Sequence, residues 1–197
     1  MSTTIKDGTG NGPSAKVDSK NRLRTLSTNV TTVDNAILNG DAFIFNSGLV
    51  TLTTDGESGL LYFKNNSDDN LSVNLVNFVQ GISTGGTGHG VIQGHINPTG
   101  GTLISTATAA INFNTNTSSP KTFDGLAYAG FEGATTTGAL GANIIMTEGA
   151  GKEVRFDPKA VLPKGGSITW AYTPPSGNTS MVVQILVIVY VVTEDIV

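Results

Sequence analysis

The chain has 197 residues, no cysteine, only 13% charged residues and a formal net charge of −4. The missing cysteines exclude a disulfide framework and any thiolate metal site. A compact chain of this length buries roughly 70% of its unfolded surface and needs no such staples. Gly, Thr, Asn and Ser dominate, which favours strands and turns over helices and reads as an all-β protein.

The N-terminus, "MSTTIKDGTGNG", is polar and has no apolar core of a signal peptide. Residues 1–15 lack periodicity and read as an extended arm. "AKVDSKNRLRTL" follows, with a turn at Asp18-Ser19-Lys20-Asn21 that suits a small hairpin. Charge is unevenly spread. Residues 1–24 carry Lys6, Lys16, Lys20, Arg22 and Arg24 against Asp7 and Asp18, a net of +3. The remaining six bases face thirteen acids, a net of −7. Such a basic arm on an acidic body suits docking to an acidic surface, or simple solubilisation. Five bases without an interleaved aromatic are too few for a nucleic-acid binder.

Residues 25–40 read as a connector, so the domains are expected at 1–40 and 41–197. From Asp41 strand signals come steadily. "DAFIFNS" puts Phe43 and Phe45 on one face, and "LVTLTT" pairs Val50 with Leu52. "GLLYFKN" and "NLSVNLVNFVQ" flank Ser67-Asp68-Asp69-Asn70, which reads as a hairpin loop. In the second of these the apolar phase runs Leu71, Val73, Leu75 and then shifts to Val76 and Phe78. That shift predicts a bulge near Val76 or Asn77. "VIQGHI", "TLIST" and "TAAINFN" follow, the last aligning Ile111 and Phe113. Residues 114–141 read as a long surface excursion anchored by Phe123, Tyr128 and Phe131. "ANIIMTE", "KEVRFDP" and "SITWAYT" are strands, the last with Ile168, Trp170 and Tyr172 on its core face.

The run from Met181 to Val192 is too short and too rich in β-branched residues for a membrane helix, which needs ~20 apolar residues. It reads as a strand buried on both faces. Its odd face, Met181 to Val191, should be core. Its even face (Val182, Gln184, Leu186, Ile188, Tyr190, Val192) needs a cover, since an outer sheet face is normally polar. The candidates are the 114–141 excursion and a neighbouring subunit. The subunit is favoured, with Val182, Leu186, Ile188 and Tyr190 as the interface.

No residue set forms a reaction centre. "GISTG" (Gly81 to Gly85) matches a nucleophile elbow, but that motif needs a helix after Ser83. "GTGHG" cannot supply one, and no acid lies between Ser83 and His89 or His95. Those two histidines would lie ~20 Å apart along a strand, too far to share a metal, and read as exposed loop residues. "GAGKE" (Gly149 to Glu153) misses the spacing of a phosphate loop. Asp55/Glu57 and Asp68/Asp69 read as solvated turn acids, and Trp170 as core rather than a sugar platform. No catalytic residue, metal or cofactor is expected.

Two segments carry a resemblance. "AKVDSKNRLRTLST" resembles the N-terminal segment of structural proteins of tailed bacteriophages, where a V-D-x-x-N-R-L element precedes a β-domain. "LPKGGSITWAYTPPSGNTSMVVQILVIVYV" is similar to the last two strands of jelly-roll proteins of virus heads and tails. Together they cover about a quarter of the chain. The resemblance implies a jelly-roll-like antiparallel β-sandwich with an extended N-terminal arm. It also implies a capsid decoration (cement) protein, usually a homotrimer, made in the host cytoplasm and bound to the major capsid protein on the virion surface. Nucleic acid and membrane are not expected partners. The alternative is a tail-fibre or baseplate jelly roll that recognises host-surface glycans through its loops.

Overall fold

A computed structural model of the chain describes residues 4–5, 15–16, 32–106, 108–146 and 160–192. The chain separates into two units, residues 1–31 and 32–197. In the first, β1 (Thr4–Ile5) pairs antiparallel with β2 (Ala15–Lys16). The partner of Ala15–Lys16 is thus upstream. The expected hairpin around residues 18–21 lies outside the described residues.

The second unit opens with helix α1 (Thr32–Asn39), in the stretch expected to be a connector. The strands that follow are β3 (Ala42–Asn46), β4 (Val50–Leu52), β5 (Ser58–Asn65), β6 (Leu71–Gln80) and β7 (Gly90–Ile96). A one-turn helix α2 (Thr102–Ser105) leads to β8 (Thr108–Ala109), β9 (Ile111–Asn114) and β10 (Gly125–Ala129). Last come β11 (Ala139–Met146), β12 (Ala160–Leu162), β13 (Ser167–Thr173) and β14 (Met181–Val191). "TLIST" is therefore α2 and not a strand, and the excursion contains β10. "KEVRFDP" falls outside the described residues.

The strands form two antiparallel sheets. One has the order β12-β6-β14-β3-β9, with β4 also on β14; the other runs β11-β7-β13-β5-β10-β8. Without β4, β8, β9 and β10, eight strands remain. The chain then changes sheet at every step except β7 to β11. That strand order is the jelly roll. Ser67 to Asn70 consequently joins strands of opposite sheets and is no hairpin loop. Periodicity marks the turn, but it carries no information on which sheet the chain enters next.

The core lies between the sheets. Met181, Val183, Ile185, Val187 and Val189 are buried from β14, as the alternation predicts, and Val191 packs against them. Phe45 of one sheet meets Phe63 of the other edge-on at 4.9 Å, and Phe123 of the insertion closes on Phe45 at 4.8 Å. Trp170 is buried among them. The register of β6 on β14 slips between Leu186 and Val187, which face Asn77 and Leu75, so Val76 is the bulged residue. Phe78 contacts Tyr172 at 4.9 Å across the core. Gly90 is required there, since a Cβ would sit 1.9 Å from the Tyr172 hydroxyl.

That hydroxyl donates to Gln80 Oε1 at 2.7 Å, and burial pushes its pKa up to about 12. The unfolded chain ionises this group near 10, so between pH 10 and 12 only the folded state holds the proton. The contribution is complete below pH 10 and lost as pH rises through 12. Stability measured in urea at pH 9 and pH 11.5 should therefore fall less in Tyr172→Phe than in the natural chain. An equal fall in both would refute this account.

Candidate functional site

The outward faces of the two sheets are treated differently by the chain. On the sheet containing β13, the segment after β7 folds back over the strands. Leu103 of α2 and Ala134 bury Tyr62, and Tyr128 stacks on it at 5.6 Å. Thr102 and Thr135 exchange hydrogen bonds of 3.1 and 2.8 Å, and Gly59 N–H donates to the Ala134 carbonyl at 2.7 Å. Of the three expected anchors, Phe123 and Tyr128 act as such, whereas Phe131 is exposed.

On the sheet containing β14, α1 covers one end only. Val33, Ala36 and Ile37 recur at i, i+3 and i+4, which places them on one helix face. They pack on Ala42, Ile188, Tyr190 and Val192. Asp34 in the first turn suits the helix dipole. The helix ends in a Schellman motif: Asp41 N–H donates to Ala36 and Gly40 N–H to Ile37. Gly40, at φ 72°, takes the left-handed position this ending requires.

This corrects the cover expected for the even face of β14. Neither the 114–141 excursion nor a subunit is needed over Tyr190, which is 1% exposed beneath α1. Ile188 is half-buried against the same cluster. Leu186 is half-buried and Val182 is exposed, both beyond the reach of that cluster. The helix was legible in "TVDNAILN", but eight residues between a polar arm and the first strand read as linker.

Beyond α1 the face stays apolar. Cross-strand pairing sets Phe113 of β9 beside Ile44 of β3, and Ile44 beside Ile188 of β14. One step along, Ile111, Asn46 and Leu186 form a second row. Val79 of β6 lies opposite Gln184. Ile111 is 64% exposed and Phe113 53%. Sequence reasoning aligned these two on one face but expected no role for it. Edge pairing of β9 on β3 turns that face outward.

Lys16 lies in β2, while Lys6, Lys20, Arg22 and Arg24 are outside the described residues.

One end of the sandwich gathers the loops that precede β5, β7 and β14. Thr84 bridges to Ser180 and Thr87 to Ser176, so residues 81–88 are zipped to 174–180 as an irregular ribbon. Within it Ser83 Oγ donates to Asn178 Oδ1 at 2.6 Å, and no helix follows. Buried Asn178 also donates to the Leu52 and Thr54 carbonyls at 3.0 Å. Ser83 therefore has a side-chain amide, not an imidazole, as its partner. A cleft of 340 Å³ opens beside it, lined by Gln80, Ile82, Ser83, Pro175 and Met181.

The titratable groups are mostly engaged in holding loops. Asp55 accepts from Gly177 N–H at 3.0 Å. Glu132 accepts from the Thr53 and Thr54 backbone N–H groups, which hold its carboxyl below the usual range. Asp68 pairs with Lys164; their hydrogen bond lowers the carboxyl pKa and raises the ammonium pKa. At the opposite end, a recess of 270 Å³ lies among Phe43, Leu71, Phe123 and Val191, beside an Asp41–Lys121 pair at 2.7 Å.

His89 is exposed as expected, but His95 is not a loop residue. It sits on β7 with a side chain 12% exposed, its Nε2 3.1 Å from Glu57 Oε1 and its Nδ1 buried without a hydrogen-bond partner. The strand is legible in "VIQGHI"; the burial of His95 comes from β11 and β13 on either side of it. Among the described residues no three His, Cys, Asp or Glu side chains are grouped to hold a metal ion. No described helix is long and apolar enough to cross a membrane. No protein-family model matches the chain, and no curated protein is similar to it at a significant level.

Proposed function

We propose that the chain is a head decoration (cement) protein of a tailed bacteriophage. It binds the outer surface of the major capsid protein lattice and stabilises the head; its role is structural rather than catalytic. The observation that carries this reading is the place of the segment 161–192. The stretch that resembles the closing strands of virus-head jelly rolls supplies β13 and β14 here, each an interior strand of its sheet. The acidic body and the basic segment 1–24 support a division of labour, with the arm gripping the capsid and the sandwich forming the exposed knob. Cement acts by burying surface across joints between capsid subunits. An arm that orders on binding loses entropy, and a homotrimer offsets this by presenting three arms at once.

The test is co-sedimentation with empty capsids. The full chain should bind and raise the temperature at which capsids rupture. A chain lacking residues 1–24 should keep its sandwich and lose binding by orders of magnitude, because avidity vanishes with the arm. Full decoration by the shortened chain would overturn the assignment of Lys6, Lys16, Lys20, Arg22 and Arg24.

The cleft beside Ser83 favours a second reading, a tail-fibre or baseplate module that recognises host glycans. A saccharide-dependent rise in melting temperature would support it. Trp170 fluorescence is a poor reporter, since that ring is buried in the core.

A further inference from the structure

We infer that the uncovered outer face of the sheet containing β14 is where copies of this chain meet. This names the contact surface for the oligomer proposed above, but it stands on the sheet face alone. The patch comprises Ile44, Val79, Ile111, Phe113, Val182 and Leu186, drawn from four adjacent strands. Four strands at ~4.8 Å spacing and six residues at ~3.3 Å make it about 15 by 20 Å. That is roughly 300 Å², near the largest apolar patch a monomer exposes. It matches the apolar centre of an interface that buries about 800 Å² on each side once a polar rim is added. Leu38 of α1, 68% exposed, extends it at one border; its carbonyl accepts from Asn116 just beyond β9.

Two features favour a second copy as the occupant. First, no outward residue described on β3, β9 or β14 is charged, in a chain of net charge −4. A basic or acidic partner finds no counter-charge here. Two identical acidic bodies can approach through this face without opposing like charges. Second, two polar side chains inside the patch, Gln184 and Asn46, are tied to each other. Gln184 Nε2 donates to Asn46 Oδ1 at 3.0 Å, and Asn46 Oδ1 also accepts from Gly48 N–H at 2.8 Å. The two side chains are therefore held in place before association, which lowers the ordering cost of burying them. Two sheet faces pack on each other at about 10 Å, as those of a sandwich do.

The experiment is the mass of the full chain by sedimentation equilibrium without capsids, so failure of capsid binding and failure of this contact are read separately. The natural chain should sediment as two or more copies. Ile111→Glu/Phe113→Glu, on the edge strand, should weaken self-association at least ~30-fold, because the two most exposed apolar anchors of the patch are lost. Its far-ultraviolet circular dichroism should stay that of the natural chain; if it unfolds, Val182→Glu carries the same test. Ile145→Glu, on edge strand β11 of the other sheet, should leave the mass unchanged. A monomeric natural chain, or an oligomer that survives a folded patch variant, overturns the inference.

Discussion

A chain shortened to begin at Asp41 is expected to melt roughly 10 °C below one that begins at Thr32. The argument rests on what α1 covers. Val33, Ala36 and Ile37 shield Ala42, Tyr190 and part of Ile188 and Val192. Removing the helix returns Tyr190, now 1% exposed, to water together with its neighbours. Burial of one large and several small apolar groups contributes about 3–5 kcal/mol at ~25 cal/mol per Å². For a domain of this size each kcal/mol moves the midpoint by ~2–4 °C. The Schellman ending adds to this, because Asp41 N–H loses the Ala36 carbonyl. Calorimetry of the two chains decides it. Equal midpoints would mean that α1 rests on the sheet without stabilising it, and the face would then be open along the whole of β14.

Phe45→Ala should cost about 3–5 kcal/mol, as large aromatic truncations in a closed core do. Phe45 is fully buried and sits where three elements meet: its own strand, β5 through Phe63, and the insertion through Phe123. The hole left behind cannot collapse easily, since its walls belong to both sheets. Phe45→Leu keeps most of the volume and should cost under ~1.5 kcal/mol. Phe131→Ala, at an exposed position, should stay within about 0.5 kcal/mol of the natural chain. Urea titration of the three variants checks the ranking. If Phe45→Ala costs no more than Phe131→Ala, the two sheets do not close on each other as described.

The two variants probe different kinds of information. The place of Phe45 in the core could be read from "DAFIFNS", because alternation assigns faces within one strand. The same local rule exposed the bulge: an apolar phase that slips by one at Val76 has no other remedy than an extra residue. It also identified the odd face of β14 and the core position of Trp170. Where it failed, the reason was distance along the chain. Ser67 to Asn70 has the composition of a hairpin loop and the geometry of a crossover. No turn residue records which sheet lies ahead. Ile111 and Phe113 alternate as core residues do, yet β9 joins the edge of β3 with that side turned out. His95 reads as a loop residue among glycines until β11 and β13 flank it.

The sequence by itself therefore determined the all-β class, the turns, the face each side chain takes within its strand, and the excess of apolar surface on β14. These follow from the two-residue period of an extended chain, a property of neighbours. Only the tertiary structure decided the jelly-roll order, the cover of Tyr190 by a helix from the connector, and the apolar patch left open between β9 and β6. Those depend on pairings between strands many residues apart. Their free energy comes from burying surface that no single segment possesses.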